Sequence, residues 1–165
     1  MSSTFSIDMI EAALIDFLCS KLPLAYGAFV DVNSLGDDDF DEEGTLVLRP
    51  PSARLRFMDA TYKNLRDNQR LTYQTDPHFE LWCYESSLRN KADQRRQTLV
   101  LGKAAQGILA GTRLQLADQT QTMPISLLRV GLVNTASGPV DQLFAVEFIV
   151  EGIAQFNGEY AQPGQ

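Results

Sequence analysis

The chain has 165 residues, 44% hydrophobic and 21% charged, a size and balance that fit one ordinary globular domain and exclude a disordered or collagenous chain. Its formal charge of −7 excludes the usual nucleic-acid binder, whose affinity comes mostly from neutralising phosphates. No apolar run reaches the ~18–20 residues that span a bilayer, Asp8, Glu11 and Asp16 stand where a leader would be basic and apolar, and two cysteines cannot frame a disulfide scaffold. The expectation is a soluble intracellular protein with reduced thiols.

Ile7, Ile10, Leu14, Phe17 and Leu18 fall at helical spacing behind a capping Ser6. They predict a first helix over 7–21, stopped by Pro23. Short strands are expected at 28–32 (AFVDV) and 45–49 (TLVLR). Between them lie Asp37, Asp38, Asp39, Asp41, Glu42 and Glu43, six acids in seven residues. Such a run repels itself, so 35–44 reads as a mobile acidic loop.

Ala53, Leu55 and Phe57 then alternate with Arg54, Arg56 and Met58, the period-two pattern of a half-buried strand over 53–58. The polar stretch 61–75 reads as a long excursion or a hairpin arm. Over 79–86, Phe79, Leu81 and Cys83 face one way and Glu80, Trp82 and Tyr84 the other. Both sides are bulky, which predicts a central strand covered on both faces. A second helix is expected over 93–110, capped by Asn90, with Leu101, Ala104, Ala105 and Ile108 inward and Gly111 as its left-handed stop. Strands at 125–133 and 143–156, joined by a turn at 137–139, read as an antiparallel hairpin. Phe144, Val146, Phe148 and Val150 belong to its core side, Glu147 and Glu151 to the other. A short polar tail near 158–165 ends the chain. The predicted class is α+β, two main helices packed on an antiparallel-rich sheet in one domain over 1–165.

Chemical motifs are scarce. His78 has no nucleophile motif beside it, and Cys19 and Cys83 are too far apart in sequence for a usual zinc spacing. Both cysteines read as buried thiols. Placing Asp39 first in a calcium loop puts Asp41, Glu43 and Gly44 correctly, but Pro50 stands where the bidentate Glu belongs. Gly102, Gly107 and Gly111 lie in or at the end of a helix, so they form no phosphate-binding turn. Catalysis, a metal and a cofactor are therefore not expected. Charge, by contrast, is segregated: −8 over 1–50, +5 over 51–113 and −4 over 114–165. Arg89, Lys91, Arg95 and Arg96 crowd the start of the second helix, against its dipole; they read as ordinary solubilising charge or, alternatively, as the mark of an acidic neighbour.

The ordered segments RPPSARLRF, HFELWCYES, LVLGKAAQGILAG and FAVEFIVEGIAQF, behind an amphipathic first helix, resemble the Mu-type phage and prophage tail-completion proteins, or tail terminators. The resemblance spans roughly residues 5–157 and carries no catalytic motif. It implies a terminator fold, a hexameric ring of copies, and a place at the neck end of the virion tail after assembly in the host cytoplasm. The implied partners are the tail-tube protein, the sheath protein and a neck or head-completion protein, with no cofactor and no membrane. In such a ring, Arg54, Arg56, Arg95 and Arg96 are the expected contacts for Asp37, Asp38, Asp39, Asp41, Glu42 and Glu43, or for Glu147 and Glu151. The alternative is a small cytosolic ligand-binding protein with its pocket between the second helix and the sheet.

Overall fold

The structure, a computed structural model, describes residues 6–49, 51–65, 71–85, 91–132 and 143–156. Helix α1 covers Ile7–Tyr26, with the Ser6 side chain accepting from the Met9 amide at its start. It runs through Pro23 instead of stopping there. Proline in the last turn removes one helical hydrogen bond, while Leu22 beside it is fully buried and holds the turn against the core. Gly27 ends the helix at φ +84°, donating its N–H to Pro23 O at 2.8 Å.

The described strands are β1 (Asp31–Ser34), β2 (Ser52–Asp59), β3 (Tyr62–Asn64), β4 (Leu71–Thr75), β5 (His78–Tyr84), β6 (Ser126–Leu132), β7 (Leu143–Ile149) and β8 (Gly152–Phe156). Helix α2 (Lys91–Leu109) separates β5 from β6. The main sheet has the order β1-β2-β5-β7-β6, with β1 parallel to β2 and every other pair antiparallel. The fold is α+β, as the pattern predicts. The Asn90 cap and the 137–139 turn lie outside the described residues.

Both helices pack on one face of this sheet. Ile10, Leu14, Leu18 and Leu22 of α1 and Leu101, Ala105 and Leu109 of α2 meet Ala53, Leu55, Phe79, Leu81, Cys83, Val146 and Phe148. Burying each large apolar side chain contributes about 1.5–3 kcal/mol, so this layer is the main source of stability. Phe79 stacks on Phe148, its register partner across β5 and β7, with ring centroids 5.9 Å apart. Gly102 brings α2 close to the sheet: a Cβ there would lie 3.4 Å from Phe144 Cδ1. Among the described residues, the seam between α2 and the sheet is packed by Leu101, Ala105, Leu109, Val146 and Phe148.

The opposite face of the sheet is covered by the chain between β1 and β2. A parallel pair needs a crossover, and here the crossover is the acidic segment. Leu35, Phe40, Leu46 and Leu48 pack on Trp82, Leu143 and Ala145. This corrects the expected strand at 45–49, which forms only the isolated Phe40–Leu46 bridge. Its apolar residues are spent on covering a sheet, not on joining one.

The 143–156 run is likewise two strands. β7 ends at Ile149, and β8 pairs instead with β4 in a second sheet of order β3-β4-β8. The hairpin arm expected over 61–75 is β3 and β4. Three two-residue links join the sheets: Ala60–Thr61, Asp76–Pro77 and Val150–Glu151. They are tied side by side, Asp76 N to Thr61 O at 3.3 Å and Val150 N to Pro77 O at 2.9 Å.

Candidate functional site

The acidic segment is the first candidate surface, and it is built rather than loose. Asp37–Asp39 form a single 3-10 turn whose Gly36 amide is held by Asp39 Oδ2 at 2.9 Å. Asp41 Oδ1 accepts from the Glu43 and Thr45 amides at 3.0 and 2.8 Å. The expectation of a self-repelling free loop therefore gives way to two aspartates that turn their carboxylates onto the backbone. Asp37, Asp38, Glu42 and Glu43 remain exposed.

Arg54 explains the segment's position. Its side chain is 8% exposed, with Nη2 2.7 Å from Asp31 Oδ2 and Nε 2.9 Å from Asp39 Oδ1. Nη1 also donates to Asp31 O at 2.7 Å. Burial alone would lower the Arg54 pKa, but the bonds to Asp31 and Asp39 outweigh it and raise it. Arg54 and Asp39 thus meet within one chain, which withdraws both from the set of free contacts between copies. Period-two reading put Arg54 on a solvated face; the crossover closes over it.

Further along the same face, register aligns four charges across four strands: Arg56 opposite Glu80, Glu80 opposite Glu147, and Glu147 opposite Arg129. Arg56 Nη1 lies 3.8 Å from Glu80 Oε2, and Arg129 Nη2 lies 2.8 Å from Glu147 Oε1. Two neighbouring carboxylates are thereby flanked by a base on each side, the arrangement that offsets their repulsion. Hydrogen bonding to Glu147 raises the Arg129 pKa. The Arg56 guanidinium also lies 5.8 Å from the centre of the Trp82 ring. His78 stands at the end of this face, Nδ1 3.4 Å from Asp59 and Nε2 3.8 Å from Glu147.

Arg96 is exposed on α2; the side chain of Arg95 lies outside the described residues. Glu151 is half-buried at the link between the sheets, its carbonyl accepting from the Met123 amide at 3.0 Å. Sequence reading missed Asp31, Glu80 and Arg129 as partners. Only strand register, which pairs residues far apart in the chain, brings them in. Cys83 is buried and its thiol is pushed up to about 12 by desolvation, whereas Cys19, expected inside, is exposed. Burial, and then the nearby Asp16 and Asp31, raise the Cys19 pKa. Tyr26 donates to Glu85, and burial followed by that carboxylate raises its pKa. Among the described residues, no group of three His, Cys, Asp or Glu side chains is placed to hold a metal ion.

One open groove of about 480 Å³ runs between α1 and β1, lined by Asp8, Glu11, Ala12, Ile15, Asp16 and Ser34 among others. Glu11 accepts from Ser34 Oγ at 2.6 Å along it. A second cavity of about 280 Å³ lies by the links between the sheets, lined by Thr61, Gln74, Asp76 and Glu151 among others.

No protein-family model matches the sequence, and no curated protein matches it. Comparison of structures gives a different result. A chain in a structure titled "Virion of native gene transfer agent (GTA) particle" superposes with a TM-score of 0.53, over 93% of this chain and 100% of that one. The two chains share a fold. At 10% identity, what they share is the order and packing of elements rather than particular side chains.

Proposed function

We propose that this chain is a structural component of a phage-type particle, and specifically a tail terminator. It would form a ring, by analogy a hexamer, on the neck end of the tail tube. There it would stop polymerisation and present a surface to the neck. The observation that carries the reading is the fold shared along the entire length of a virion chain. The resemblance of the segments to tail-completion proteins narrows that role to the terminator. A terminator acts through surfaces, so the reading assigns no catalysis, no cofactor and no metal. Its partners would be further copies of itself, the tail-tube and sheath proteins and a neck protein.

Deletion of the gene tests the reading. The expected result is tails of uncontrolled length that fail to join heads, restored by the gene supplied in trans. Tails of normal length, joined normally to heads in the deletion strain, would overturn it.

A further inference from the structure

The two edges of the main sheet belong to oppositely charged sides of the molecule. β1 forms one edge and β6 the other, with α1 packed toward β1 and α2 toward β7 and β6. Residues 6–34, which build α1 and β1 on that side, hold four acids, Asp8, Glu11, Asp16 and Asp31, and a single base, Lys21. Residues 96–132, which build the β6 side, hold four bases, Arg96, Lys103, Arg113 and Arg129, and one acid, Asp118. All four of those bases are exposed.

Each side also has an apolar feature at its centre. On the β1 side, Ala12 and Ile15 form a strip in the groove, bordered by Asp8, Glu11 and Asp16. On the β6 side, the register shifts between Leu127 and Arg129. This bulge leaves Leu128 51% exposed at the open edge, next to Arg129, whose side chain is bonded to Glu147 but still 74% exposed. Arg113 follows Thr112, whose carbonyl accepts from the amide of Ile125, just before β6 begins and three residues before Leu128. A bulge interrupts the edge ladder, so this edge is suited to docking by side chains rather than by strand addition.

We propose that the α1–β1 groove of one copy receives the β6 edge of the next copy. Leu128 lies on the Ala12–Ile15 strip, and Arg113 and Arg129 face the bordering carboxylates. The contact joins two different surfaces, so it repeats head to tail and closes where the rotation allows. It rests on the ring reading above and names the surfaces that build the ring. Charge steers the approach and makes assembly salt-dependent, while Leu128 fixes the register.

The test uses the full chain at high concentration and low salt, with assembly followed by sedimentation velocity and native mass spectrometry. Two variants reverse one side each: A12K/D16K and R113E/L128E. All four positions are outside the core, so unchanged melting temperatures establish that folding is intact. Each variant alone should associate at least tenfold more weakly than the wild type. An equimolar mixture should recover assembly, since every junction then pairs opposite charges again. Wild-type rings with both variants assembling as well as the wild type would overturn the pairing and leave the ring standing. A wild type that stops at a two-fold dimer would overturn both. A wild type that stays monomeric would overturn the pairing as an autonomous contact, leaving the ring to the deletion experiment. A second measurement is independent of charge reversal: A12C/L128C in a C19S background should oxidise to a ladder of linked copies. Absence of that ladder would also overturn the pairing.

Discussion

Removing the Arg54 guanidinium strands two carboxylates at once. Asp39 is nearly buried and Asp31 is partly exposed, so Arg54→Met should cost less than a fully buried pair, about 2–3 kcal/mol in urea unfolding. Asp37→Asn and Asp38→Asn, at exposed positions a few residues away, should change stability by under about 0.5 kcal/mol. Cys83 gives a pH-dependent counterpart. Its thiol titrates at about 12 in the folded chain, against an ordinary value of 9.0. Below the ordinary value both states keep the proton and nothing changes. Above it the unfolded state releases a proton that the native state retains, so stability falls as pH rises. The slope contributed by this thiol is at most about 1.4 kcal/mol per pH unit. Unfolding of wild type and Cys83→Ala under reducing conditions, from about pH 8 to 11, should show that extra loss in the wild type alone. The inward place of Cys83 was legible from alternation; the burial of Arg54 was not, because alternation describes a strand and not what lies over it.

At the scale of elements, the crossover between β1 and β2 has a built-in reporter, since Trp82 beneath it is the only tryptophan in the chain. Phe40→Ala should move its emission to longer wavelength and cost about 2 kcal/mol, read by fluorescence-detected denaturation. The same element should show no micromolar calcium site by calorimetry. Asp39 and Asp41 already direct their oxygens to Arg54 and to backbone amides. Helix positions and strand faces were readable because each repeats a local period over several residues. The crossover repeats none: Leu35, Phe40, Leu46 and Leu48 are spaced for a surface supplied by distant strands. The division of 143–156 was hidden for a related reason. Its alternation serves β7 and β8 alike, and only the change of partner from β5 and β6 to β4 separates them.

For the whole molecule, the charge imbalance along the chain becomes an imbalance between the edges of the main sheet, with the acidic α1 toward the β1 edge and the basic α2 toward the β6 edge. Assembly of the wild-type chain should therefore weaken steeply between about 0.05 and 0.5 M salt, measured by sedimentation, as exposed charges are screened. Folding itself should be nearly indifferent to the same change, because the core is apolar and the Arg54–Asp39 pair is largely out of solvent. The sign of each charged segment was visible in the sequence. Which charges remain outward was decided by tertiary contacts, and these tied up Asp31, Asp39 and Arg54 while leaving Arg113, and Arg129 beyond its bond to Glu147, exposed.

The three short links between the two sheets run alongside one another, each only two residues long and cross-tied at the backbone. An axial pull on the smaller sheet would load β2, β5 and β7 together, sliding their ladders lengthwise instead of opening them bond by bond. Many hydrogen bonds must then break at once. Under tension the small sheet behaves as a handle fixed to the body, and the body should yield later than a molecule of this size gripped at a single strand.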